Sequence, residues 1–181
     1  MSRAAPFPPW CLVALCCWLA GAVQAQETPS FRLVRYSVQP LQAFQLDALV
    51  LGREDYYFGR EAELSPTDLA LGWGPLGDPA LAARIRFSQS GRWYHWHADP
   101  LPLPRREIET HSANMHLIPA NRDVARTLEK VSAGERVHIT GQLVRITGDD
   151  GWQWVSSLSR EDIGAGSCEL IWVEQLRIDA P

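Results

Sequence analysis

The chain has 181 residues, of which 17 are basic and 21 acidic, and 46% of its residues are apolar. This apolar fraction is sufficient for one hydrophobic core of ordinary size and excludes an intrinsically disordered chain. The net charge of −4 disfavours nucleic acid and anionic membranes as partners, because both need Lys and Arg to neutralise phosphate groups. No internal repeat of about 20–50 residues is visible, which excludes solenoids and propellers.

The first 25 residues have the pattern of a secretory signal peptide. A short basic start at Arg3 precedes an uncharged apolar run of 14 residues, Trp10–Val23, which is shorter than the roughly 20 residues that span a bilayer. Val23-Gln24-Ala25 places small side chains where a signal peptidase reads them, so we expect cleavage after Ala25. Residues 26–181 would then form a single mature domain, periplasmic or secreted and without stable membrane insertion; a retained membrane anchor is the alternative.

The cysteines fall on both sides of the expected cleavage point. Cys11, Cys16 and Cys17 lie in the leader, and Cys168 alone remains in the mature chain. We therefore expect no internal disulfide and a fold that is stabilised by its apolar core.

Two strands and a helix are predicted at the start of the mature chain. Residues 31–38 and 44–51 alternate between apolar and polar side chains, as half-buried strands do. Ser65-Pro66-Thr67-Asp68 is typical of a helix N-terminus, since serine caps the helix, proline fits its first turn and aspartate favours its dipole. This pattern predicts a short helix as far as Leu71.

A helical turn and a hairpin are predicted next. Asp78-Pro79 is typical of the start of a single turn of helix. Residues 85–89 and 92–97 flank Ser90-Gly91, which is typical of a hairpin turn. The prolines within residues 99–104 then predict an extended surface connector, because proline cannot donate to a sheet ladder.

The C-terminal half is predicted to contain a helix followed by several strands. Residues 107–118 have an extended pattern, and Asn121 is the expected cap of a helix over residues 122–130. The remaining strands are predicted at residues 135–146, 152–156, 168–173 and 175–178.

The segment from Asn121 to Ile178 resembles an OB-fold. A helix is followed by Gly-x-x-Val-x-Ile-x-Gly-x-Leu-Val, a turn and short strands, and a glycine inside the strand suits the bend that a small closed barrel needs. The resemblance implies the α+β class, mainly β, with a small OB-like barrel over about residues 105–181 and one or two short helices. Such barrels bind many kinds of ligand, so the resemblance does not define a function.

Four longer segments also resemble an uncharacterised group of exported bacterial proteins that has no established activity. The segments are YSVQPLQAFQLDALVL, LSPTDLALGWG, HSANMHLIPA and WVSSLSREDIGAGSCELIWV. This resemblance implies export, and no site residue follows from it.

Two histidines in the aromatic run Trp93–His97 are candidate metal ligands. In a strand, His95 and His97 would lie on one face, about 6.5–7 Å apart along the chain, and with a third ligand they could hold a divalent metal such as zinc. Candidates for that third ligand are His111, His116 and Asp99. The alternative is a strand whose Tyr94 and Trp96 face the core while both histidines face solvent.

A second candidate site lies in the extended segment that follows. Ser112, Asn114 and His116 occupy alternate positions, so a strand would place them in one polar row. The row could line a ligand groove, or its side chains could bond to nearby backbone groups of the adjacent loop.

Tryptophans provide a third candidate site. Trp152 and Trp154 share one face of a predicted strand and could stack on a ligand ring. We found no Gly-x-Ser-x-Gly nucleophile elbow and no phosphate-binding fingerprint in the sequence, which disfavours an enzyme.

These observations favour an exported, non-catalytic envelope module that binds a protein or a small ligand. Its expected ligand-binding residues are Ser112, Asn114, His116, Trp152 and Trp154, and we expect no cofactor and no nucleic-acid partner. One alternative is a metal-dependent hydrolase that uses His95 and His97 with a divalent metal such as zinc. Another is a glycan-binding module that uses exposed tryptophans.

Overall fold

The computed structural model describes residues 31–159 and 167–179, so the expected leader lies outside it. The strands are β1 (Phe31–Leu33), β2 (Tyr36–Asp55), β3 (Thr67–Gly72), β4 (Arg86–Ser90), β5 (Trp93–His97), β6 (Ser112–Pro119), β7 (Arg136–Gly148), β8 (Gln153–Val155) and β9 (Glu169–Ile178). The α-helices are α1 (Arg60–Leu64), α2 (Pro79–Ala82), α3 (Arg105–Thr110) and α4 (Arg122–Leu128). The protein is therefore α+β and mainly β, as predicted, with more short helices than expected.

Five strands close into a barrel. β2 pairs with β3, β3 with β6, β6 in parallel with β9, β9 with β7, and β7 returns to β2. A closed ring with a helix between its third and fourth strands agrees with the OB-like barrel implied by the sequence. The ring includes β2 and β3, which lie in the N-terminal half of the chain. The prediction that the barrel comprises only residues 105–181 is therefore wrong in its boundary.

Two strands of the barrel bend at irregular points. The strand predicted at 31–38 is wrong in one respect, because a turn at residues 34–35 divides it into β1 and the start of β2. β2 is 20 residues long and continues through the strand predicted at 44–51, because a register shift between Pro40 and Gln42 carries the chain past a residue that cannot donate. The pairing of β9 with β7 has a similar shift between Thr140 and Gly141, where Glu174 of β9 is the extra residue. These bends allow two long strands to wrap around one core.

β3 corrects the helix predicted from Ser65 to Leu71. All six residues of β3 are buried, because the strand pairs with β2 on one side and β6 on the other. Leu69 and Leu71 face the barrel core, whereas the alternate residues Asp68 and Ala70 lie on the outer face. The capping pattern was a local signal, and sheet pairing overrides it.

Two further corrections concern the C-terminal half. α3 occupies part of the segment 107–118 that was predicted to be extended, and the strand β6 begins only after it. β9 is one continuous strand, although the pattern predicted two.

Helix α4 is confirmed together with its cap. The Asn121 side chain accepts hydrogen bonds from the backbone N–H groups of Asp123 and Val124, each at 3.0 Å. Val124 and Leu128 belong to the same buried cluster as the inward side chains of the barrel strands. The helix therefore closes the barrel core. No helix within residues 31–159 and 167–179 has the length and apolar character needed to cross a membrane.

His138 of β7 connects three parts of the barrel wall. Its Nδ1 contacts Asp47 of β2 and its Nε2 lies 2.5 Å from Oδ1 of Asp179, just beyond β9. Both carboxylates accept, so the ring donates from both nitrogens when it is protonated. Hydrogen bonds to Asp47, and then to Asp179, raise the pKa of His138 above its usual 6.5.

We expect an NMR titration to give His138 a pKa above 6.5 and Asp47→Asn to lower it. Because the folded-state pKa is the higher one, the stabilisation is fully present below about pH 6.5 and is lost as pH rises through the raised value. A His138 pKa at or below 6.5 would contradict the bridging role.

Candidate functional site

The outer face of β3 and β6 carries a row of polar side chains. Register pairs Asp68 with His116, Ala70 with Asn114 and Gly72 with Ser112, so the predicted row Ser112, Asn114 and His116 does share one face. All three of its residues are buried. In OB-folds this face of the second and third strands commonly binds ligands.

A hairpin formed by β4 and β5 covers this face. Gln89 Nε2 donates to Asn114 Oδ1 at 2.7 Å, and the Tyr94 hydroxyl donates to the Ser112 carbonyl at 2.9 Å. Ser112 Oγ in turn donates to the Ile108 carbonyl at 2.8 Å. The polar row therefore attaches the hairpin to the barrel through hydrogen bonds to the Asn114 side chain and to the Ser112 backbone carbonyl.

Asp68 is the centre of this network and is completely buried. Its Oδ1 accepts from Arg92 Nη1 at 2.7 Å, and its Oδ2 accepts from Asn114 Nδ2 at 3.1 Å. His116 Nδ1 lies 2.9 Å from Oδ2, within ion-pair distance, but the ring is not aligned for a hydrogen bond. One guanidinium thus compensates the buried carboxylate, as a charge in this environment requires.

Arg92 lies in the turn of the hairpin, directly before β5. It adopts a left-handed conformation (φ 73°) beside Gly91 (φ 59°), which is the pair of positive φ angles that a tight hairpin turn requires. Its Nη2 donates to the Ser65 carbonyl at 2.9 Å, and its guanidinium lies 3.7 Å from the centre of the Tyr56 ring. The turn thus directs a charged side chain under the hairpin.

His116, Trp152 and Trp154 lie together at one end of the covered face. The rings of His116 and Trp154 are 4.9 Å apart, and those of Trp152 and Trp154 are 6.2 Å apart. Arg60 lies 5.1 Å from the Trp152 ring centre. Both tryptophans are half-buried against these neighbours, and Trp152 also lines a separate groove with Arg60 and Arg92.

A cleft of about 200 Å³ opens beside the other end of the hairpin. We call it the aromatic cleft, because four aromatic side chains line it: Trp73, Trp93, Tyr94 and Trp96. Its other lining residues are Glu109, Thr110, Ser112, Ala113, Asn114, Ser159, Ser167, Cys168 and Glu169. Of the five predicted ligand-binding residues, Ser112 and Asn114 therefore reach the cleft.

Local backbone structure positions the aromatic side chains. Trp73 follows β3 and its backbone N–H donates to the His111 carbonyl at 3.0 Å. The next residue, Gly74, has φ +53°, and a Cβ there would lie 2.7 Å from the His111 ring, so only glycine fits this turn. Trp93, Tyr94 and Trp96 come from β5.

Two glutamates, Glu109 and Glu169, line the cleft, and Arg105 forms an ion pair with Glu109 at 3.5 Å. Glu169 is only 1% exposed. Burial raises the pKa of the Tyr94 hydroxyl, its bond to Ser112 lowers it, and the charges of Glu169, Cys168 and Glu109 raise it further. Among the described residues that line the cleft, none is basic.

The two candidate metal ligands are exposed. His95 and His97 point away from the barrel, whereas Tyr94 and Trp96 on the opposite face of β5 are half-buried. In the part of the chain that the structure describes, no group of three or more His, Cys, Asp or Glu side chains is arranged to hold a metal ion.

Comparison of the chain with protein-family models, curated proteins and solved structures gives no match.

Sequence reasoning missed most of the aromatic cleft. Trp73, Glu109 and Glu169 are far apart in the chain and come together only when the hairpin folds onto the barrel. The sequence signal for the cleft was the high density of aromatic residues in Trp93–His97. The metal-site hypothesis instead considered the two histidines of that run.

Proposed function

We propose that this protein is an exported, non-catalytic envelope module that binds a small ligand, or a single side chain of a protein partner, in the aromatic cleft. The observation that carries the proposal is the cleft itself, which four aromatic residues and two glutamates line. The expected leader, residues 1–25, supports export.

The composition of the cleft supports ligand binding. Ligand sites are concave and mostly apolar, with a few polar groups that orient the ligand. Trp93 is 45% exposed at this site, and exposed tryptophan is frequent where proteins bind partners. The volume, about 200 Å³, is below the roughly 300–1,000 Å³ of typical small-molecule pockets. It therefore suits one ring or one head group.

The environment of the buried ionisable groups supports binding over catalysis. Asp68, Arg92 and His116 form a cluster of ionisable side chains, and the hairpin covers Asp68 and His116, which are buried. A general acid or base must reach its substrate. Their role is therefore to attach the hairpin, whose aromatic side chains line the cleft.

We expect a panel of sugars, amino acids and alkylamines to contain at least one compound that quenches the tryptophan fluorescence of the purified protein in a saturable way. Trp93→Ala should abolish that response, because it removes the most exposed wall of the cleft. Trp152→Ala is the matched control, since Trp152 packs against Tyr36 and Arg60 elsewhere. Equal responses in both variants, or no response to any compound, would contradict the proposal.

The two alternatives have distinct outcomes in the same assay. Binding of sugars that Trp152→Ala abolishes and Trp93→Ala leaves unchanged would favour a glycan-binding module outside the cleft. Zinc binding that His95→Ala and His97→Ala abolish, together with a hydrolytic activity, would favour the metal-dependent hydrolase.

A further inference from the structure

We propose that the group held in the aromatic cleft is an organic cation, either an alkylated ammonium or a guanidinium head group, and this inference rests on the proposed binding role of the cleft. It names the chemistry that the lining residues recognise. A free small molecule and a side chain of a protein partner could both supply that chemistry.

The aromatic lining is the first reason. The negative face of an aromatic ring attracts a cation, and tryptophan is the strongest of the aromatic side chains in this respect. Three tryptophans and one tyrosine line the cleft. A cation that carries methyl groups would also bury them against these rings, which a small hydrated metal ion could not do.

The carboxylates are the second reason. Glu109 and Glu169 both line the cleft, Glu109 with a side chain that is 22% exposed and Glu169 almost completely buried. Burial is the main cause of the raised pKa of the Tyr94 hydroxyl, and Glu169 and Glu109 raise it further because they lie near it. An anion would be repelled here, and a neutral sugar would gain nothing from the negative charge.

The chain already places one cation against this set of groups. The guanidinium of Arg105 lies 4.8 Å from the centre of the Trp96 ring, and its Nη1 lies 3.5 Å from Glu109 Oε1. The Arg105 side chain is 66% exposed, and exposed ion pairs of this kind are weak and exchange readily. An external cation would therefore compete with Arg105 for the same aromatic and acidic groups.

The test is isothermal titration of the purified protein with matched probes. Choline, arginine methyl ester and the tripeptide Gly-Arg-Gly are the cations; 3,3-dimethylbutan-1-ol is the neutral counterpart of choline, and N-acetylglucosamine is the sugar. We expect at least one of the cations to bind. If choline binds, the neutral alcohol should bind at least about tenfold more weakly than choline. Sodium chloride should weaken the binding of the cation. Tighter binding of choline than of Gly-Arg-Gly would indicate a free small molecule as the ligand, and the reverse would indicate a side chain of a protein partner.

Two substitutions, one that removes a negative charge and one that removes a positive charge, provide the decisive controls. Glu109→Gln should weaken cation binding by about fivefold, and Arg105→Gln should strengthen it, because it removes both a like charge and an internal competitor. Glu174→Gln, at an exposed carboxylate of β9 outside the set of lining residues, should leave binding unchanged. A purely structural role of Glu109 and Arg105 would not produce shifts of opposite sign.

Each outcome separates the two proposals. If the neutral alcohol binds as tightly as choline, or only the sugar binds, the cation inference is wrong and the binding role of the cleft stands. If neither these probes nor the wider panel bind, both proposals are wrong.

Discussion

Replacing Asp68 with alanine is expected to destabilise the protein by about 3–5 kcal/mol, the range for removing one partner of a buried ion pair. The Asp68 side chain is 0% exposed, and the Arg92 side chain that it neutralises is 14% exposed. Without the carboxylate, the Arg92 guanidinium remains under the hairpin with the Ser65 carbonyl at 2.9 Å and the more distant, half-exposed Glu61 carboxylate at 3.8 Å. Chemical denaturation measures the loss as a shift of the unfolding midpoint.

Asp68→Asn is the more discriminating variant, because it removes the charge and keeps the shape of the side chain. Its control is Asp149→Asn, which removes an exposed ion pair with Arg32 and should cost less than about 1 kcal/mol. Adding Arg92→Met to Asp68→Asn should recover part of the stability, since no charge is then left unpaired. Equal losses in the two single variants would show that the network does not hold the hairpin.

Elements with strong local signals were predicted correctly. Asn121 is followed by an apolar stripe of helical spacing, and the structure has a capped helix at that position. Residues 135–146 alternate in polarity with few interruptions and belong to one strand, β7. In both cases the local preference and the tertiary environment agree, so a short window of sequence carries the information.

Elements whose state depends on distant partners were not predicted. Thr67–Gly72 follows a good helix cap, yet it is a strand because β2 and β6 provide hydrogen bonds on both sides. Dependence on distant partners also explains why the boundary of the barrel was predicted wrongly. The pairing of β2 with β7 joins residues about a hundred positions apart, and no local pattern reports such a contact.

The candidate site shows the same division. Alternation correctly placed Ser112, Asn114 and His116 on one face, because a strand has a period of two. It could not show that a hairpin covers that face, since the covering contacts come from Gln89 and Arg92 in a different segment. Whether a polar row is open or covered is a tertiary property.

A covered face also explains why the proposed site lies beside the barrel rather than on it. The hairpin occupies the surface that OB-like barrels commonly use for ligands, and its own Trp93, Tyr94 and Trp96 then line the cleft at its edge. Attachment of the hairpin and shape of the cleft are therefore linked. Variants that loosen the Asp68 network should weaken ligand binding as well as stability.

Gly141→Ala is expected to destabilise the protein by about 3 kcal/mol, at the upper end of the usual range for overpacking. A Cβ at this position would lie 2.0 Å from the carbonyl oxygen of Trp172 and 3.2 Å from the backbone nitrogen of Glu174. These are backbone atoms of the paired strand β9, so no side-chain rotation can relieve the contact. The register shift between Thr140 and Gly141 falls here, where β7 and β9 close the ring.

The matched control is Gly77→Ala, because the nearest atom to a Cβ there is Arg136 Nη1 at 3.7 Å, an ordinary contact. We expect this variant to change stability by less than about 1 kcal/mol. Urea denaturation of both variants measures the difference, and circular dichroism before denaturation establishes whether each retains the β-sheet signal. If Gly141→Ala unfolds at the same urea concentration as Gly77→Ala, the prediction is wrong, and the close approach of β7 and β9 is not required to close the barrel. Failure of Gly141→Ala alone to fold would agree with the clash.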